Sequence, residues 1–130
     1  MKYYTDKLKE FNKAFGIKVD GDLDSPCRLR YDLLSEENKE YIQAADGDQE
    51  EIIDAITDML YVLAGTIVHH VFEDRVQEAF DIVHNSNMSK LDDNGKPIIN
   101  GIDTYDDSKP LGKVLKSQNF VEPCFAKLID

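Results

Sequence analysis

Apolar residues recur at helical spacing over the first two-thirds of the chain and lose that spacing in the last third. Leu8, Phe11 and Phe15 lie three and four residues apart, which predicts a first helix capped by Thr5 and stopped by Gly16. "VDGDLDS" is turn chemistry. Ser25 before Pro26 is an N-cap and first-turn pair, opening a second helix that runs to about Ala45 and ends at Gly47. Asp48 caps a third helix, reaching about His69, with Glu51 where a capping-box acid stands. Phe72, Val76, Ala79, Phe80 and Val83 predict a fourth. From Ser86 onward, "LDDNGKPII" and "LGKVLKSQNFVEP" read as turns and short extended pieces. The expectation is one all-α domain over residues 1–130, with a four-helix core at about 5–85 and an irregular tail at 86–130.

Charge narrows the function. A formal net charge of −11 argues against binding nucleic-acid polymers or anionic membranes. Cys27 and Cys124 lack metal-ligand spacing, and nothing suggests a disulfide framework, so both read as reduced thiols. The N-terminal stretch lacks a signal-peptide apolar run, and "MLYVLAGTIVHHVF" is too short and interrupted to span a membrane. A cytoplasmic protein is expected.

The acidic residues fall in unusual places. At about 100° per residue, Leu33, Glu37, Glu40, Tyr41 and Ala44 share one face of the second helix, with Glu36 beside Glu40. Glu37 thus projects toward the core between Leu33 and Tyr41. Lys39 lies on another face. On the third helix Glu51, Asp54 and Asp58 span an arc of roughly 60°. The main apolar arc there, from Ile52, Ile53 and Ile56 to Met59, Leu60 and Leu63, lies mostly opposite. Past Asp58 the acidic side becomes Tyr61, Val62 and Gly65, the pattern of a buried helix. Two antiparallel helices joined by a short turn bring these acids together. Clustered carboxylates repel unless divalent cations sit between them, and hard oxygen ligands suit Mg²⁺ or Mn²⁺. Capping alone accounts for Glu51, and a solvated face accounts equally well for Glu36.

The carboxylate pattern resembles that of the all-α nucleoside triphosphate pyrophosphohydrolases, the superfamily of MazG, the dimeric dUTPases and phosphoribosyl-ATP pyrophosphohydrolase. "EENKE" supplies Glu36, Glu37 and Glu40, and "DAITDMLYVLAGT" is similar to the helix carrying that superfamily's second acidic pair, with Asp58 as its final Asp. The usual Glu three residues earlier is Ala55 here. Asp54 or Glu51 would replace it. "FDIVHNSNMSKLDDNGKPI" and "GKVLKSQNFVEP" resemble the tail of a phosphoribosyl-ATP pyrophosphohydrolase-like subgroup.

The resemblance implies a MazG-like bundle that hydrolyses a nucleoside triphosphate between its α- and β-phosphates. Metal ligands would come from Glu36, Glu37, Glu40, Glu51, Asp54 and Asp58, and Glu36 or Glu37 would orient the attacking water. Lys90, Lys113 and Lys116 would meet the polyphosphate, Asn87 would read a base or sugar, and His84 is a helix-end residue or a tail contact. Phosphoribosyl-ATP hydrolysis and a non-catalytic nucleotide-binding or scaffold role are the alternatives, the latter prompted by Ala55. A homodimer or homotetramer is expected, with residues 87–116 over the mouth of the acidic site. "VDGDLDS" and "KLDDNGKP" lack the Gly and Glu positions of a calcium loop, the histidines lack zinc spacing, and there is no phosphate-cradling glycine loop.

Overall fold

The computed structural model describes residues 1–19 and 26–129. Among the described residues there are four α-helices and one two-stranded sheet, the all-α class expected. The chain forms two compact units, Met1–Val76 and Gln77–Asp130.

The first unit holds α1 (Lys2–Ala14), α2 (Pro26–Ala44) and α3 (Gln49–His69). Both α1 and α2 pack on α3. Small side chains on α3 permit this: Ala55, Ala64 and Gly65 are buried, and Ala64 and Val68 form the core with Leu8 of α1. The N-cap of α3 is the expected Asp48, whose carboxylate accepts from the Glu51 backbone N–H at 3.0 Å. The Glu51 side chain folds back over the turn, where a Cβ at Gly47 would collide with its carboxylate.

Several expectations need correction. Thr5 does not cap α1. The helix starts at Lys2, and Thr5 is buried within it, its hydroxyl donating to Lys2 O at 3.1 Å. Phe15, the C-cap residue just past the end of α1, and Tyr41 on α2 are exposed. On α3 the expected apolar arc is only partly enclosed: Ile53, Ile56 and Leu63 are exposed, whereas Ile52, Met59 and Leu60 are half-buried, as is Asp58. The buried residues of α3 are Ala55, Ala64, Gly65 and Val68. By length and composition alone, the 21-residue α3 is long and apolar enough for a membrane span, as the core helix of a soluble protein can also be. The proposed Ser25 cap lies outside the described residues.

Helices α1 and α3 end in the same hydrogen-bonded motif. Ile17 N–H donates to Asn12 O and Gly16 N–H to Lys13 O; Phe72 N–H donates to Ile67 O and Val71 N–H to Val68 O. This motif puts one residue in the left-handed region. In α1 it is Gly16, with φ +67°; in α3 it is Val71, with φ +57°. Phe72 therefore belongs to the turn, and the fourth helix starts four residues later than its apolar stripe implied.

The second unit comprises α4, which runs Val76–Met88 across the boundary, and the tail. Ile98–Ile99 (β1) pairs antiparallel with Val114–Leu115 (β2), Ile98 opposite Leu115. Side-chain hydrogen bonds hold the rest. Asn100, 1% exposed, donates through Nδ2 to the carbonyls of Asp106, Lys109 and Pro110 and accepts the Asp106 N–H. Ser86 donates to Val121 O and Ser117 to Leu91 O. Asp93 receives the side-chain amides of Gln118 and Asn119. Asp92, one of the carboxylates that made "KLDDNGKP" resemble a calcium loop, instead accepts the N–H groups of Asn94 and Lys96.

Candidate active site

The chemistry-bearing face lies in the first unit, where α2 and α3 pack. On α2 the seven-residue steps Arg30–Glu37–Ala44 follow one stripe. Ala44 is buried, and Arg30 and Glu37 are half-buried. On α3, Ala55 and Asp58 are three apart and share a face.

Glu37, Glu40 and Asp58 each offer a carboxylate oxygen, and these oxygens lie within 4.8 Å of one another. Glu37 Oε2 is buried and has no hydrogen-bond partner. Burial raises the Glu37 pKa, and the negative charges of Glu40, Asp58, Glu36 and Asp54 raise it further. Among the described residues, no lysine or arginine forms an ion pair with any of the three.

This donor set suits a hard divalent cation. Carboxylate oxygens this close, from two packed helices, can converge on one hard ion. The orphaned Glu37 oxygen is what such an ion would satisfy.

The other predicted acids are arranged around this group. Glu36 is exposed, in a shallow hollow with Asp32, Lys39, Glu40 and Gln43. Asp54 is exposed beside Glu50, Glu51 and Thr57. Both are near enough to act on Glu37 through their charge. Glu51 lies over the Gly47 turn. Ala55, at the position where the resemblance implies an acid, is 5% exposed.

The residues expected to contact substrate lie in the second unit. His84 is exposed on α4. Lys90 Nζ donates to Asn87 Oδ1 at 2.8 Å. Lys116 bonds Glu122 at 3.2 Å and lies over the Phe120 ring at 4.2 Å. Lys113 is exposed.

Sequence reasoning missed Arg30. Its Nε donates to Thr66 Oγ1 at 3.2 Å and its Nη2 to Val62 O at 3.3 Å, both across to α3. The seven-residue step to Glu37 was the signal, since it puts a cation on the acidic face.

No curated protein matches the chain, nor does any solved structure. A family model does match, that of phosphoribosyl-ATP pyrophosphohydrolase, over residues 5–87. That match takes in most of α1, the whole of α2 and α3, both acidic stripes and nearly all of α4. The chain thus belongs to the phosphoribosyl-ATP pyrophosphohydrolase family, within the MazG-like all-α nucleotide pyrophosphohydrolases.

Proposed function

We propose that this protein is a Mg²⁺-dependent nucleoside triphosphate pyrophosphohydrolase, with Mn²⁺ able to substitute, releasing a nucleoside monophosphate and pyrophosphate. The observation that carries the reading is the Glu37–Glu40–Asp58 group with its unpartnered buried oxygen. Glu37, Glu40 and Asp58 would hold the cation, with Asp54 in reserve and Glu51 lying over the Gly47 turn. Bound there, Mg²⁺ supplies charge that polarises phosphoryl oxygens and acidifies a water. Glu36 is exposed and within electrostatic reach of Glu37, so it is the better placed of the two glutamates to orient that water and take its proton. Lys90, Lys113, Lys116, Asn87 and His84 are proposed to contact substrate.

Two other readings have support. The family match favours phosphoribosyl-ATP as substrate, with the same bond type cleaved. Buried Ala55 favours a non-catalytic nucleotide-binding role, since the superfamily's usual acid is missing there. Three clustered carboxylates without a cation weigh toward catalysis. The test is Mg²⁺-dependent pyrophosphate release across nucleoside triphosphates and phosphoribosyl-ATP. Stoichiometric monophosphate and pyrophosphate support the reading. Nucleotide binding with no turnover in Mg²⁺ or Mn²⁺ supports the non-catalytic one.

A further inference from the structure

One face of the Arg30 guanidinium is spent and the other is not. The side edge, Nε–H with one Nη2–H, is spent on Thr66 Oγ1 and Val62 O of α3. Thr66 Oγ1 itself donates to Val62 O at 2.8 Å, which closes a triangle and fixes the group's plane. Gly65 makes the seat: a Cβ there would lie 3.1 Å from Arg30 Nη2 and 3.3 Å from Leu8 Cδ1. The end edge, one outward N–H on each Nη, has no partner among the described residues. Two parallel donors remain, held rigidly.

Arg30 lines a cavity of about 300 Å³ within the first unit, walled by Leu8, Phe11, Leu29, Leu33 and Tyr61. Burial disfavours its charge and lowers its pKa. Yet the chain carries 26 acidic residues against 15 lysines and arginines, and no described carboxylate pairs with this cation. A half-buried guanidinium left with a free fork is poised for acceptors that the described residues do not supply. A phosphate fits poorly, because apolar and aromatic side chains make most of the wall and one cation would have to offset it. A flat ring with two adjacent acceptors fits both the wall and the fork.

Distance sets where such a ring belongs. Arg30 and Glu37 are seven residues apart on one α2 face, a rise of roughly 10 Å. That is about the reach of a nucleotide from its base edge to its phosphates. We propose that this cavity is the base subsite, and that the end edge of Arg30 reads the O6/N7 edge of a 6-oxopurine. The inference rests on the pyrophosphohydrolase reading and narrows it, away from adenine. Guanine presents two acceptors on that edge, whereas adenine presents N7 beside an N6 donor that would meet the guanidinium's own N–H.

The test is equilibrium binding of GMP, IMP, AMP and 7-deaza-GMP to the full chain in Mg²⁺, since monophosphates have no α,β bond to cleave. GMP and IMP should bind roughly tenfold or more tightly than AMP, and 7-deaza-GMP, lacking N7, should lose most of that advantage. Arg30→Lys keeps the charge and loses the fork; it should bind GMP and AMP alike. Equal binding of GMP and AMP, undiminished binding of 7-deaza-GMP, or an unchanged preference in folded Arg30→Lys overturns the proposal. If Arg30→Lys does not fold, the 7-deaza comparison on the wild-type chain decides. Pyrophosphate release without base preference removes this inference alone. A Arg30-dependent preference for GMP without pyrophosphate release removes the catalytic reading and leaves the subsite.

Discussion

Glu37 on α2 and Asp58 on α3 bring carboxylate oxygens within 4.8 Å across the helix pair, with Glu40 completing the group. Burial, and then the charges of Glu40 and Asp58, make the Glu37 carboxyl hold its proton above the ordinary glutamate value of 4.5. Between 4.5 and that raised value the folded chain binds more protons than the unfolded one. The linked stability is fully present below 4.5 and is lost as pH rises through the folded value. In metal-free buffer, the Tm of the wild type should fall relative to that of Glu37→Gln as pH rises through this window. Thermal melts of both proteins from pH 4 upward check this. A Tm difference that does not change with pH would remove Glu37 from the strained group.

Divalent metal should act in the opposite direction. Mg²⁺ or Mn²⁺ binds the ionised carboxylates of the folded chain, so millimolar metal should raise the wild-type Tm, more at neutral than at acid pH. Asp58→Asn should lose most of that rise. Calorimetry showing no heat with either metal, with or without nucleotide, would count against the site.

The two Schellman-type ends supply a stability prediction independent of function. Gly16 occupies its left-handed position without strain, while Val71 occupies the equivalent one with a branched side chain. Val71 is also exposed, so little packing opposes its removal. Val71→Gly should stabilise the chain by about 1 kcal/mol, read from urea unfolding. Gly16→Val should destabilise it by a similar amount.

In the tail, Asn100 is the residue on which most depends. Asn100→Ala would strand the carbonyls of Asp106, Lys109 and Pro110, at a cost of about 3 kcal/mol. Asn100→Asp should cost at least as much, because a carboxylate would face those same carbonyls. Amide exchange across residues 98–116 should accelerate in both variants, and unchanged protection would contradict the assignment.

Local chemistry made much of this legible. Asp48 as a cap, Gly16 as a stop and the acidic stripes follow from spacing and side-chain type alone. Thr5 was misread because a hydroxyl near a helix start has two uses, and burial chose the second. Part of the α3 apolar arc was misread because hydrophobicity favours large side chains, whereas close helix approach here selects Ala55, Ala64 and Gly65. Arg30 escaped notice because its partners are a backbone carbonyl and a hydroxyl, although its seven-residue step to Glu37 marked it as a cation on the acidic face. Asn100 escaped because its partners are carbonyls whose positions follow only from the folded tail.

The misread arc has its own consequence. Ile53 is 58% and Ile56 50% exposed on one side of α3, together with Leu63. Large aliphatics left in water on an otherwise acidic chain are best covered by a second copy. Light scattering should show a homodimer or homotetramer, and Ile53→Glu with Ile56→Glu should give a smaller species. A wild-type monomer at micromolar concentration would contradict this.

The Glu37–Glu40–Asp58 group, charged with Mg²⁺, is proposed to be the seat of the hydrolysis. The most direct measurement is the Mg²⁺ dependence of pyrophosphate release from a saturating nucleoside triphosphate, for the wild type, Glu37→Gln and Asp58→Asn, each shown to be helical. Release by the wild type should depend on metal, be abolished by chelator and be reduced at least about a hundredfold in both variants. Release that persists in chelator, or that either folded variant matches, would contradict it.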